Sequence, residues 1–252
     1  MSHLLELKDI SIRFGGLLAV DHLDLVVDEG QVVALIGPNG AGKSTVFNVI
    51  TGIYPPTGGK VFFRGEDITK VKSYHITGRG IARTFQTIHL FKDLSALDNV
   101  KIGAHCRGKA GIPGALTRVP YVKSEEKAIT EKSMSVLEIV GLANKSEELA
   151  KNLAYGEQRR LEIARALAAE PLLLLLDEPA AGMNPQEKLN LMEMLETIRA
   201  MNITILLVEH DMKFVMSISD RVDVLDYGKK IASGTPAEVQ NDPLVISAYL
   251  GQ

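Results

Sequence analysis

Gln31-Val32-Val33-Ala34-Leu35-Ile36 runs directly into Gly37-Pro38-Asn39-Gly40-Ala41-Gly42-Lys43-Ser44-Thr45, and the reading of this stretch decides the fold. The first half is nearly continuously apolar, as a strand buried on both faces is. The second half matches the pattern G-x-x-x-x-G-K-[ST], and Ser44 to Thr51 then reads as a helix. Strand, glycine-rich loop and helix in that order make a phosphate cradle. The glycines let the chain turn tightly, successive N–H groups face a β-phosphate, and the helix N-terminus adds favourable partial charge. Lys43 is expected to reach the β- and γ-phosphates, with the Ser44 hydroxyl placed for Mg²⁺.

Upstream of the cradle, mixed apolar and polar residues from Leu4 to Phe14 and from Leu23 to Val27 read as strands of an N-terminal β layer. Downstream, the turn Pro55 to Gly59 precedes a short strand through Val61 to Phe63. Good helix formers with apolar residues at helical spacing fill Ser124 to Leu142 and Glu157 to Ala169, so a helical insert is expected, with Gly108 to Pro120 as an exposed loop within it. Two short apolar runs, Leu172 to Leu176 and Thr204 to Val208, are each followed by acidic or histidine residues. They read as parallel strands whose C-terminal ends carry functional groups to one edge of a sheet.

At the end of the first run stand Asp177 and Glu178, two adjacent carboxylates with different expected tasks: Asp177 to support Mg²⁺, Glu178 to polarise the water that attacks the γ-phosphate. Solvated strand-end carboxylates are common, so the pair gains meaning only beside the cradle. His210 follows the second run and is expected at the same edge, within reach of a γ-phosphate.

Composition sets the outer bounds. A chain of 252 residues with 46% hydrophobic and 23% charged residues can bury a substantial core. A formal charge of -3 argues against gripping nucleic-acid backbones, so no nucleic-acid partner is expected. Cys106 is the only cysteine, which excludes an intrachain disulfide and an all-cysteine metal site. The N-terminal residues show no secretory signal, and Leu172 to Leu176 falls far short of the roughly 20 apolar residues that span a bilayer. A cytoplasmic location is expected.

Leu153-Ala154-Tyr155-Gly156-Glu157-Gln158-Arg159-Arg160, shortly before the Asp177 strand, resembles the L-S-G-G-Q signature of ATP-binding cassette (ABC) proteins. Phe14, the cradle, Gln86, this segment, Asp177-Glu178 and His210 follow one another in that family's order across the whole chain. The resemblance implies a P-loop NTPase (RecA-like) α/β core with an N-terminal antiparallel β layer and an inserted α-helical subdomain. One domain, 1–252, would comprise a nucleotide-binding core of about 1–87 and 165–252 and a helical part of about 88–164. It further implies that Phe14 stacks on adenine, that Gln86 senses the metal and the γ-phosphate at a loop facing a membrane partner, and that Ala154, Tyr155, Gly156 and Glu157 act on the nucleotide of a second cassette. Taken alone, a Phe in a β-rich stretch is usually core and a Gln usually solvated.

The signature departs from the commonest form. Ala154 stands for serine, Tyr155 for the first glycine and Glu157 for glutamine, while Asn184, in Pro179-Ala180-Ala181-Gly182-Met183-Asn184-Pro185, stands where an aspartate is usual. One hydroxyl contact is lost, and Glu157 comes unexpectedly near phosphate. These same departures, with Ala82-Arg83-Thr84-Phe85-Gln86, Gly234-Thr235-Pro236-Ala237-Glu238 and the closing Ala248-Tyr249-Leu250-Gly251, resemble the ATP-binding subunit of branched-chain amino-acid importers. That resemblance implies ATP hydrolysis with Mg²⁺, head-to-tail pairing with a second ATPase subunit, transmembrane permease subunits, and indirectly a substrate-binding protein. The chain would sit peripherally on the inner face of the cell membrane. Left open beside it are an ATPase of a lipid or lipopolysaccharide exporter, a soluble non-transport ABC protein, and a nucleotide kinase, which would leave the signature and His210 idle.

Overall fold

The computed structural model of the protein describes residues 3–105 and 120–250. Cys106 and the loop expected from Gly108 onward lie outside the described residues up to Pro120, which starts a helix.

Two sheets organise the chain. Strands β1 (Leu5–Phe14), β2 (Leu17–Val27), β4 (Gly58–Phe63) and β5 (Glu66–Asp67) form an antiparallel sheet in the order β2-β1-β4-β5. Strands β3 (Val32–Ile36), β6 (Ile81–Arg83), β7 (Leu173–Asp177), β8 (Thr204–Val208), β9 (Arg221–Asp226) and β10 (Lys229–Gly234) form the second, in the order β10-β9-β3-β8-β7-β6. All neighbours in this second sheet run parallel except the edge pair of β9 and β10. The N-terminal antiparallel layer and the parallel core are therefore those expected.

Strands β3, β7 and β8 are buried at every position. Alternation of side chains divides each strand between two apolar clusters. Val33, Leu35, Leu173, Leu175, Leu206 and Val208 face the antiparallel layer and helix α1 (Lys43–Ile50), where Phe47 is fully buried. Val32, Ala34, Ile36, Leu174, Leu176, Ile205 and Leu207 face the opposite way, into a cluster shared with the other helices. This double burial explains why these runs look continuously apolar where a one-sided strand would alternate.

Among the described residues the other α-helices are α2 (Ser73–Ile76), α3 (Ala96–Ala104), α4 (Pro120–Ile139), α5 (Tyr155–Leu167), α6 (Pro185–Ala200), α7 (Met212–Ile218), α8 (Pro236–Gln240) and α9 (Pro243–Leu250). Helices α3, α4 and α5 pack on one another. Some boundaries differ from expectation. Strand β2 begins at Leu17, not Leu23, because the chain reverses at Gly15-Gly16 and pairs Phe14 with Leu17. Helix α4 begins at Pro120, suited to a first helical turn that needs no N–H there, and ends at Ile139 before Gly141. Helix α5 begins at Tyr155, inside the signature itself.

Candidate functional site

Strands β3, β8, β7 and β6 are consecutive neighbours, and their C-terminal ends form one edge. The loop after β3 is the cradle, and His210 follows β8. Asp177 ends β7 with Glu178 directly after it, while Gln86 lies just beyond β6. Parallel register sets Val208 beside Asp177 and Leu35 beside Val208, so residues distant in sequence converge. A cleft of about 460 Å³ at this edge is lined by Phe14, Asn39, Gly40, Gly42, Lys43, Ser44, Thr45, Gln86, Glu178 and His210. Leu17, Leu18, Ala19 and Tyr227 complete its rim.

The cradle is built by its backbone. Gly42 precedes α1 at φ +104, and a Cβ there would stand 2.6 Å from the Ala19 carbonyl oxygen, so no larger residue is accommodated. Lys43 is buried, and its ammonium donates to the carbonyls of Gly37 at 2.6 Å and Pro38 at 2.8 Å. Burial pulls its pKa down, opposed by the nearby Glu178 and Asp177 carboxylates. Pro38 and Ala41 shape the loop through the Ala41 N–H, which donates to the Pro38 carbonyl. At the cleft mouth Phe14 is 45% exposed, with Tyr54 edge-on to it at 5.4 Å between ring centroids, which leaves a broad aromatic surface open to a planar ligand.

The adjacent carboxylates have opposite surroundings. Asp177 is buried and accepts from Arg83 at 2.9 Å, while Arg83 also donates to Asn48 at 2.7 Å and lies between the Phe47 and Phe85 rings. Glu178 adopts a left-handed φ of 51, a conformation costing a non-glycine residue on the order of 1 kcal/mol. Its side chain faces the cleft, where Oε1 shares a 2.8 Å hydrogen bond with His210 Nε2 and Oε2 accepts from Gln86 at 3.2 Å. Glu178, His210 and Gln86 are thus joined into one hydrogen-bonded group.

Ala154, Tyr155, Gly156 and Glu157 do not line this cleft. They begin α5, where the Tyr155 ring lies so close to Gly182 that a Cβ there would stand 3.0 Å from it; Gly182 itself has φ +73. Glu157 accepts from the Ala154 N–H at 3.1 Å, half of a capping box, and pairs with Lys145 at 2.9 Å. Burial raises the Glu157 carboxyl, but Lys145, the Ala154 N–H and Arg160 outweigh it and hold the pKa below its ordinary value. The residue that looked misplaced beside phosphate is a helix cap. Asn184 does the same for α6: its side chain accepts from the Glu187 N–H at 2.9 Å, and Glu187 accepts from the Asn184 N–H at 2.8 Å.

Residue-by-residue reading of the sequence missed Arg83 and Glu209. Glu209 is buried between β8 and His210 and accepts from the backbone N–H of Ala180 at 2.6 Å and of His210 at 3.0 Å. Burial pushes its pKa up against those hydrogen bonds. It ties the segment after Glu178 to the one carrying His210. The only signal was a charge set directly after five buried strand residues, where packing leaves little room for a free carboxylate.

Oxygen donors dominate the cleft, and among the described residues no group of three or more His, Cys, Asp or Glu side chains stands ready to hold a metal unaided. That chemistry fits Mg²⁺, which shares its shell with substrate phosphates and water and needs few protein ligands. No described helix is long and apolar enough to cross a membrane.

Comparison with known proteins agrees with this geometry. A family model described as ABC transporter matches residues 20–181, and one described as branched-chain amino acid ATP-binding cassette transporter matches 229–252. The high-affinity branched-chain amino acid transport ATP-binding protein BraF of Pseudomonas aeruginosa is 45% identical, over 99% of this chain and 98% of its own. LivG of Escherichia coli K12, described in the same words, is 44% identical over the same shares. Among solved structures, a nucleotide-free ATP-binding cassette from an ABC transporter has a TM-score of 0.87 at 33% identity, covering 99% of this chain and 100% of that one. A structure of the ADP conformation of an ATP-binding cassette of an ABC transporter has a TM-score of 0.88 at 32% identity, with 100% of both chains covered.

Proposed function

Since the chain belongs to the ABC transporter ATP-binding family, we propose that it is the ATP-hydrolysing subunit of an importer of branched-chain amino acids. The observation that carries this reading is the convergence of Lys43, Gln86, Glu178 and His210 on one cleft, with Glu178 bonded to both His210 and Gln86. Relatives that match nearly end to end bear the same transport description.

In the proposed reaction the triphosphate lies along Gly37 to Thr45, met by backbone N–H groups and by Lys43, which exchanges its contacts with the Gly37 and Pro38 carbonyls for phosphate oxygens. Phe14 offers its face to the adenine. Ser44 and Gln86 would hold Mg²⁺, with Asp177 acting through water; the ion supplies charge neutralisation on the phosphates. Glu178 draws the proton from an attacking water as its oxygen bonds to the γ-phosphorus, and the bond to the bridging oxygen of ADP breaks. His210 holds Glu178 in place through their shared hydrogen bond and offers its imidazole to the transferred phosphate. The Arg83 pairing fixes the direction of the Asp177 carboxylate, so the two carboxylates divide the work.

The Gly156 segment acts on the nucleotide of a second cassette, a related chain or a copy of this one. Residues of about 88–164 would serve as the helical part that carries it, and the rest as the nucleotide-binding core. Permease subunits hold the pair at the inner face of the membrane, with a substrate-binding protein delivering the amino acid. Co-expression with candidate permeases tests this directly. Copurification together with ATP-dependent uptake of labelled leucine is the expected result; a stable complex that ignores branched-chain amino acids contradicts the substrate assignment.

A further inference from the structure

Arg159 and Glu162, both fully buried and about one and two turns into α5, take no direct part in the cleft. A buried ion pair contributes little to stability compared with apolar residues of the same volume, because desolvation offsets the attraction. The pair therefore calls for another reason. Arg159 spreads its guanidinium over the chain that carries Gln86: Nη1 donates to the Phe85 carbonyl at 2.6 Å and Nη2 to the Gln86 carbonyl at 2.8 Å. Glu162 neutralises Arg159 at 3.0 Å with one oxygen and accepts from the His89 N–H at 3.2 Å with the other. Arg159 Nε has no partner among the described residues, so the arrangement favours the two carbonyls over full satisfaction of the guanidinium.

Gln86 is consequently held at both ends. Its main chain is bound to α5, and its side chain donates to Glu178. The helix that grips it is the same one whose first turn presents Gly156. We propose that Arg159, backed by Glu162, is a positioning residue for hydrolysis. It fastens the Gln86 main chain to the helix bearing Gly156, so that docking of that helix on a second cassette and placement of Gln86 at this chain's own nucleotide are one movement. A planar fork is needed because two carbonyls are gripped at once; an ammonium is a point charge without that geometry. The inference rests on the role given to Gln86 above.

The test uses the full-length chain with three variants: Gln86→Ala, Arg159→Lys, and the double variant Arg159→Met with Glu162→Met, which removes the charges together and keeps the volume. Measured are thermal stability, affinity for a fluorescent ATP analogue in EDTA, kcat, and the Mg²⁺ concentration giving half-maximal turnover. Expected for the double variant are near-native stability and metal-free nucleotide affinity, a kcat lower by about tenfold or more, and a raised Mg²⁺ requirement, as loss of alignment produces. Arg159→Lys, which keeps a charge beside Glu162 but not the fork, is expected to follow it in kcat. Kcat within about twofold of wild type in the folded double variant overturns the proposal. If that variant does not fold, Arg159→Lys decides, and full activity there overturns the proposal equally. Should Gln86→Ala itself turn over normally, the role of Gln86 fails first, a result distinguishable from failure of the clamp.

Discussion

The cleft and the segment Ala154 to Glu157 are two halves of one proposed reaction, yet they are built differently. In the cleft, side chains meet side chains: Glu178 touches His210 and Gln86, and Asp177 touches Arg83. In the signature segment, the charged side chain is withdrawn to Lys145 and the Ala154 N–H, and a helix N-terminus is what remains to meet a ligand. First-turn N–H groups have no acceptor within their own helix and carry the positive end of its dipole. The difference teaches that loss of serine and glutamine from the usual signature costs side-chain contacts while leaving backbone recognition available.

The largest expected effect falls on the cleft. Glu178→Gln keeps the shape and the His210 contact but removes the base, and steady-state ATP hydrolysis should fall by about a hundredfold or more while binding of a fluorescent ATP analogue persists. Unchanged turnover would take Glu178 out of that role. Lys43→Ala strikes the cradle, and titration with the same analogue should show affinity lower by about tenfold, since a buried charge-assisted contact to phosphate is lost. Phe14→Ala should weaken ATP binding several-fold, roughly 1 kcal/mol, and leave inorganic tripolyphosphate unaffected. Equal losses for both ligands would mean that Phe14 does not meet the base.

On the signature side the effects should be smaller and of another kind. Glu157→Gln should lower Tm by a few degrees, about what a weakened cap gives, with ATP affinity unchanged. Because the folded-state carboxyl lies below its ordinary value, its stabilisation is complete above the unfolded pKa of roughly 4.3 and is lost as pH falls through the lower folded value. Melting curves of the two proteins should therefore differ at pH 7 and converge in acid. A gap that widens in acid would contradict the cap reading.

The parallel core was legible because double burial makes β3, β8 and β7 up to Leu176 almost wholly apolar, and because the cradle, Glu178 and His210 follow within two residues of their strands. The order of Phe14, cradle, Gln86, signature, carboxylates and His210 reached the family without a contact map. Buried charges outside the motifs were not legible. Arg159, Glu162 and Glu209, and Arg83 with its largely enclosed side chain, read as solvated in a linear sequence, since only the folded packing shows which charges the apolar positions enclose. Asn184-Pro185-Gln186-Glu187 could have been read correctly: an N-cap residue, proline at the first helical position and glutamate at the third are a helix start. Its position in a family pattern drew attention away from its local chemistry. Strand β2 starts earlier than its apolar run suggests for a similar local reason, the polar Asp21 and His22 interrupting that run before Leu23.

The proposed reaction depends first on where the triphosphate lies. A structure of the Glu178→Gln protein with Mg²⁺ and ATP should show the phosphates along Gly37 to Thr45, the adenine against Phe14, and the Gly156 region of a second cassette over the γ-phosphate. An empty cradle with nucleotide bound elsewhere would contradict it.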